Sequence, residues 1–229
     1  MKKLIVLSGA GISMESGIPT FRDSNGLWEG YRVEDVASPE GWLKDSATVL
    51  EFYNQRRKRA LEVQPNRAHY VVAELAEFFD VTVVTQNVDD LHERAGSKNV
   101  IHLHGSLFES RSTVDESLIY PVRGTELNVG DLCENGSQLR PNIVWFGEMV
   151  PLMDVAARHA SKADIFIVVG TSMVVYPAAG LVHYAPYDCI KYVVDPKLPD
   201  MPNMRNVRMF EEKASTGMEK VKQELMGLV

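Results

Sequence analysis

Apolar residues in this chain gather in short unbroken runs: 4–7, 81–85, 100–103, 143–146, 165–169 and 192–194 are each nearly all apolar and rich in β-branched side chains. A strand with one buried face alternates apolar and polar positions, so unbroken runs predict strands covered on both faces. Between them the spacing shifts to a helical period over 67–79, 152–161, 177–184 and 214–228. Strands alternating with helices need right-handed crossovers, which predicts an α/β fold built on a doubly wound parallel sheet. Ligands bind such sheets beyond the carboxyl ends of the strands, so the residues that follow each run are the first candidates for chemistry.

Two segments break the rhythm. Residues 20–65 hold the turn-rich Asp23-Ser24-Asn25-Gly26 and then a helix over about 45–63, while 107–141 is polar and rich in Ser, Gly, Asp and Glu. Both read as insertions, predicting a small second lobe from 21–65 and 107–141 on a large lobe from 1–20, 66–106 and 142–229. There is no internal repeat and no low-complexity tract.

Composition narrows the picture. With 229 residues, 45% of them apolar, the chain can bury a sizeable core as one domain. It has no apolar run of about 18 residues and no signal-peptide pattern, so neither a membrane nor an export route is expected. Its two cysteines, Cys133 and Cys189, are too few for a disulfide framework or a thiolate metal cage. A cytoplasmic setting is expected. The net charge of −7 repels a phosphate backbone, so nucleic acid is not an expected partner despite the run Arg56-Arg57-Lys58-Arg59.

The first strand runs into Ser8-Gly9-Ala10-Gly11-Ile12, where two missing side chains let backbone N–H groups approach phosphates. The dehydrogenase fingerprint is incomplete: Met14 stands at the third glycine, and no acidic residue closes a second strand about 20 residues on. The second run leads into Gln86-Asn87-Val88-Asp89, two amides and a carboxylate suited to hydroxyls or a carboxamide, although Asn87 or Asp89 would equally cap the next helix. The third leads to His104-Gly105, a histidine able to exchange a proton near neutral pH or simply to bond a nearby backbone group. His102 and His104 share a strand face without a carboxylate or thiolate at ligand spacing, which leaves a metal role unsupported. Gly147-Glu148 and Gly170-Thr171-Ser172 follow the next two runs. Several small, polar turns converging on one sheet edge favour a nucleotide.

The blocks Gly9-Ala-Gly-Ile-Ser-Met-Glu-Ser-Gly-Ile-Pro-Thr-Phe-Arg22, Thr85-Gln-Asn-Val-Asp-Asp-Leu-His92, His104-Gly105, Trp145-Phe-Gly-Glu148 and Gly170-Thr-Ser172 resemble, in order, the motifs of sirtuins, the NAD-dependent protein lysine deacylases. The resemblance implies a Rossmann-like large lobe, and that Gly9, Ala10, Gly11, Ile12, Thr20, Phe21 and Arg22 embrace NAD, a co-substrate that is consumed rather than reduced. It places Gln86, Asn87 and Asp89 at the ribose and nicotinamide end, and Gly170, Thr171, Ser172, Asp195 and Ala214 toward the adenosine end. It implies that the acyl-lysine carbonyl oxygen attacks the ribose carbon as nicotinamide leaves, and that His104 then deprotonates a ribose hydroxyl, with Asn87 and Asp89 as catalytic companions. Free lysine and O-acyl-ADP-ribose result. Acyl-lysine proteins or peptides are the implied partners, bound by Trp145, Phe146, Gly147 and Glu148, with Phe21, Trp145 and Phe146 as apolar walls.

Tyr53 and Arg56, three apart on one helical face, can turn a hydroxyl and a guanidinium toward a carboxylate. The pair resembles the mark of the class III sirtuin branch that removes succinyl, malonyl and glutaryl groups. Plain deacetylation and ADP-ribosyl transfer are the alternatives. Most sirtuins also carry two Cys-x-x-Cys pairs for zinc; here Arg111-Ser-Thr-Val114 replaces the first and only Cys133 remains near the second. No zinc is expected, with Leu118, Ile119, Tyr120 and Leu139 packing that lobe instead. Val193 stands where the family's adenosine-ribose asparagine is expected.

Overall fold

The computed structural model describes residues 1–20, 27–199 and 204–227. Phe21, Arg22 and the turn at 23–26 therefore lie outside the described residues. A six-stranded, all-parallel sheet forms the large lobe from β1 (Lys3–Ser8), β4 (Asp80–Thr85), β5 (Val100–His102), β9 (Ile165–Val169), β10 (Ile190–Val194) and β11 (Val207–Phe210). Its spatial order is β11-β10-β9-β1-β4-β5. Counted along the sheet's own strands this is the 3-2-1-4-5-6 order of a doubly wound nucleotide fold, and the direction reverses between β1 and β9.

Side chains of the central strands divide between two cores, as the two-residue pleat requires. Leu4, Val6, Val83, Ile165, Ile167 and Val194 pack under α4 (Arg67–Glu74) and α7 (Ala214–Met226). Ile5, Leu7, Val84, Phe166, Val168 and Val193 pack against α6 (Met153–Ala160) and a 3₁₀ helix at Ala178–Tyr184. Burial on both faces accounts for the unbroken apolar runs.

The predicted strand over 143–146 is corrected. The strand there is β8 (Leu139–Ile143), which pairs antiparallel with β6 (Gly105–Ser112) in a small sheet ordered β7-β6-β8, β7 being Ile119–Pro121. Pro141 in β8 and Pro121 in β7 fit these edge positions, where a missing N–H breaks no ladder. The sixth parallel strand is β11, whose Val-Arg-Met-Phe pattern, half solvated at the sheet edge, carries no buried-run signal. The predicted helices appear, with 67–79 ending in a 3₁₀ turn and 177–184 wound as 3₁₀ throughout.

The small lobe is completed by the hairpin β2 (Leu27–Trp28) and β3 (Tyr31–Arg32), by α1 (Val33–Val36) and α2 (Pro39–Lys44), and by α3 (Ser46–Glu62), capped by the Asp45 carboxylate on the Thr48 N–H. One further short helix, α5 (Leu91–Arg94), follows β4. The small-lobe core joins Val49, Phe52, Tyr53, Leu107, Ile143 and Trp145. The expected packing through Leu118, Ile119, Tyr120 and Leu139 is corrected: none of the four is buried, and Ile119 is exposed. Polar ties hold the 120s loop instead. Asn54 grips the Leu127 backbone with both ends of its amide (3.1 and 2.9 Å), and fully buried Arg57 donates to the carbonyls of Leu107 and Thr125. The basic run is thus divided, with Arg56 and Arg57 buried and Lys58 and Arg59 exposed. Among the described residues no helix is long and apolar enough to cross a membrane.

Candidate active site

The loops after β1 and β9 meet at the point where strand order reverses, and their backbones interlock. Gly9 N–H donates to the Val169 carbonyl at 3.1 Å and Gly11 N–H to the Gly170 carbonyl at 2.8 Å. A Cβ on Gly11 would lie 2.7 Å from Gly170 Cα, and one on Gly170, whose φ is +63°, would lie 2.2 Å from Ile12 N. These glycines therefore fit two turns together, and the amides of Gly9 and Gly11 are spent on that contact rather than offered to a phosphate. Ala10 is the exposed residue at the crest, and Ile12 is buried beneath it.

The loop after β4 is tied to both neighbours. Gln86 Nε2 donates to Thr171 Oγ1 at 3.1 Å, reaching the turn after β9. Asn87 Nδ2 donates to Ser13 Oγ at 3.1 Å, and the same hydroxyl donates to Asp89 Oδ2 at 3.0 Å. Asp89 Oδ1 accepts the Leu91 N–H at 3.1 Å, so Asp89 also performs the local turn-stabilising role open to it from sequence. Burial raises the Asp89 pKa against the pull of those two donors. Behind this loop, the Ser8 hydroxyl donates to Thr85 Oγ1 at 2.9 Å, and Thr85 Oγ1 also accepts the Asn87 N–H at 3.0 Å.

His102 ends β5 and His104 sits in the turn that follows, so the two do not share a strand face as expected, and they are poised oppositely. His104 Nδ1 lies 3.1 Å from the Gln86 carbonyl oxygen. A carbonyl only accepts, so Nδ1 carries the hydrogen and the neutral ring keeps a lone pair on Nε2. Burial lowers the His104 pKa, keeping that base form abundant at neutral pH. His102 lies between the Asn87 carbonyl at 3.0 Å and a Glu93 carboxylate oxygen at 2.7 Å, two acceptors that call for both ring hydrogens. Burial opposes its charge, but Glu93 outweighs it and the pKa is raised. Gly105 follows His104 at φ +83°, where a Cβ would stand 1.9 Å from the Asn142 carbonyl.

On the small-lobe side, Tyr53 is fully buried and its hydroxyl oxygen accepts the Trp145 Nε1–H at 3.0 Å. Burial pushes its pKa up to about 12, so the phenol keeps its hydrogen. Arg56, 8% exposed, has its Cζ 4.1 Å from the Trp28 ring centroid, and its Nε and Nη1 have no hydrogen-bond partner among the described residues. Glu148 is committed elsewhere: its carboxylate accepts from Arg140 Nη1 at 2.6 Å, Arg111 Nη2 at 3.3 Å and the Trp145 N–H at 2.8 Å. Burial works against that charge, yet Arg140 holds the pKa low. Glu148 thus fixes the Trp145 segment, while Phe146 and Gly147 are exposed beside it.

The point where strand order reverses, ringed by small turns and by hydroxyl, amide and imidazole groups from four separate segments, is where a doubly wound sheet takes a dinucleotide. The matching family model is the Sir2 family, aligned over residues 9–177. The chain belongs to that family. It is 52% identical to an NAD-dependent protein deacylase of Bacteroides thetaiotaomicron, over 99% of both chains. It is 50% identical to one from Helicobacter pylori, over 99% of this chain and 98% of that one. A Sir2 homologue solved with NAD superposes with a TM-score of 0.89 at 40% identity, covering 99% of this chain and 90% of the other.

Of the residues the sirtuin resemblance assigns to the adenosine end, Asp195 is buried after β10 and its Oδ1 accepts the Lys197 N–H at 2.9 Å. Val193 packs in the core, and Ala214 opens α7 beside Ser215, which donates to Glu15 through its N–H (2.9 Å) and its hydroxyl (2.7 Å). Thr20 is buried and Ser172 half-buried. Ser13 is the site residue that sequence reasoning missed. Its signal was a small polar residue directly after the Gly-rich turn, but the partners that give it meaning lie on the β4 loop.

The residues where the family's zinc cysteines are expected do not fit a tetrahedral metal site. Cys133 Sγ lies 3.0 Å from Ser137 Oγ and 3.5 Å from Ser112 Oγ, and these two hydroxyls lie 2.8 Å apart. Among the described residues no group of three or more His, Cys, Asp or Glu side chains is placed to hold a metal.

Proposed function

We propose that this Sir2-family enzyme is an NAD-dependent protein-lysine deacylase, working without zinc, whose acyl pocket takes acidic chains such as succinyl, malonyl or glutaryl. Arg56 carries the reading: a guanidinium withdrawn from water, with Nε and Nη1 lacking a hydrogen-bond partner among the described residues, is costly unless a ligand completes it. Tyr53 adds a phenol whose oxygen is already fixed by Trp145, leaving its hydrogen to donate to the same carboxylate.

When bound, NAD supplies the ribose carbon whose bond to nicotinamide breaks. The protein's part is placement and proton handling. The Asn87–Ser13–Asp89 chain fixes an amide and a carboxylate at the mouth of β4, and one fixed orientation of those groups is what an ordered attack requires. His104, with Nδ1–H held by Gln86, presents Nε2 as the base that takes a hydroxyl proton. Trp145 and Phe146 supply apolar walls that favour the acyl oxygen over water.

The test is mass spectrometry of products from one peptide bearing acetyl-lysine or succinyl-lysine, with NAD. Nicotinamide, free lysine and O-acyl-ADP-ribose are expected, with succinyl preferred, and Arg56→Met should remove that preference. Strong preference for acetyl defeats the acyl assignment, and ADP-ribose attached to a protein side chain defeats deacylation itself.

A further inference from the structure

We propose that Glu29 is a specificity-determining counterion of the acyl pocket: it neutralises Arg56 when the acyl group is uncharged and yields that guanidinium to the carboxylate of an acidic acyl chain. The inference rests on the acyl reading given above and adds to it how one pocket treats neutral and acidic groups.

Two Arg–Glu pairs in the same lobe show the difference between a closed ion pair and an open one. Arg140 grips Glu148 through two hydrogen bonds, at 2.6 and 3.1 Å. Glu29 Oε1 stops 3.7 Å from Arg56 Nη1, within Coulomb range but beyond a hydrogen bond, although Arg56 is 8% exposed and has donors to spare. The charge of Arg56 is thereby compensated while the hydrogens on Nε and Nη1 stay unclaimed among the described residues. A carboxylate brought in by a substrate can form the short, charge-assisted bonds that Glu29 does not.

A tight hairpin turn carries Glu29 to Arg56. Glu29 and Gly30 are the two turn residues of the β2–β3 hairpin, at φ +50° and +88°, the pairing of positive angles that a tight hairpin demands. That turn fixes where the Glu29 side chain starts. Its neighbour Trp28 is stacked on the guanidinium at 4.1 Å, so the hairpin brings a ring and a carboxylate to Arg56 from consecutive residues.

A neutral acyl group leaves Arg56 with Glu29 as counterion, and an acidic one competes with Glu29 for it. The Glu29→Gln substitution removes the competitor and the counterion together. At saturating NAD, KM for a succinyl-lysine peptide should fall on the order of tenfold with little change in kcat, while kcat/KM for the matched acetyl-lysine peptide falls several-fold. Glu29→Asp, which keeps the charge but withdraws it, should move the succinyl-to-acetyl ratio the same way by a smaller factor, and it carries the test if the glutamine variant does not fold. Parallel losses on both peptides, or an unchanged ratio, overturn the proposal. Arg56→Met separates the two levels. If it leaves the ratio at the wild-type value, the acyl reading itself fails; if it collapses the ratio while both Glu29 variants leave it alone, only the role of Glu29 fails.

Discussion

Trp145 donates its indole hydrogen to the hydroxyl oxygen of Tyr53 at 3.0 Å, joining a residue of the loop after β8 to the middle of α3. Tyr53→Phe strips the indole of its acceptor and the pocket of a donor. Stability should fall by about 1–2 kcal/mol in urea unfolding, and kcat/KM for a succinyl peptide should drop roughly tenfold, with the acetyl peptide much less affected.

Ser13 is the hinge of the Asn87–Asp89 arrangement, accepting from one and donating to the other. Ser13→Ala leaves a buried amide hydrogen and a buried carboxylate oxygen unpaired, which costs about 1–3 kcal/mol. Nicotinamide release should slow by roughly ten- to a hundredfold, because a freed Asn87 side chain samples orientations that do not serve the reaction. A discontinuous nicotinamide assay on correctly folded protein reads this directly.

Gly170→Ala should be severe. The position needs a left-handed backbone and its Cβ would meet Ile12 N at 2.2 Å, so the turns after β1 and β9 must separate. A loss above about 3 kcal/mol, or a KM for NAD raised on the order of tenfold in any folded fraction, is expected. Gly180→Ala is the control: its Cβ would meet only the Tyr176 ring at 3.7 Å, and melting curves should barely move.

The kcat/KM profile should carry an acid limb set by His104. In the proposed role its base form is the reactive one, and burial lowers its pKa, so activity should be lost only as pH falls below the ordinary imidazole value of about 6.5. A limb centred above that value would show that His104 is not the titrating base.

A structural metal would leave a signature that this small lobe is expected to lack. Dialysis against a chelator should leave the melting temperature and activity unchanged, whereas a lobe held by zinc would loosen. Arg57→Met should loosen it instead, by about 2–4 kcal/mol, through the Leu107 and Thr125 carbonyls it leaves unpaired.

Sequence patterning captured what depends on a local period and missed what depends on distant partners. Four of the six parallel strands are legible because burial on both faces writes an unbroken apolar run; half-buried β5 at one edge keeps an apolar Val-Ile start, while β11 at the other edge, with Arg208 and Met209 exposed, writes no such run. The run at 143–146 misled because apolar Ile143 and Trp145 belong to the small-lobe core and not to a strand of the parallel sheet. The turns bearing Gly9, Gln86, His104 and Gly170 were placed at one sheet edge by topology alone. The Ser13 bridge, the commitment of Glu148 to Arg140 and the unclosed Glu29–Arg56 pair each join residues that no spacing rule connects.

The interlocked glycine turns also govern when the proposed dinucleotide site comes into being. One half of it is made near the start of the chain and the other beyond β9, and neither turn has its partner until both exist. During synthesis the ribosome must therefore release most of the polypeptide before the two turns can meet, and on the proposed NAD site fragments ending before residue 165 should show no affinity for NAD.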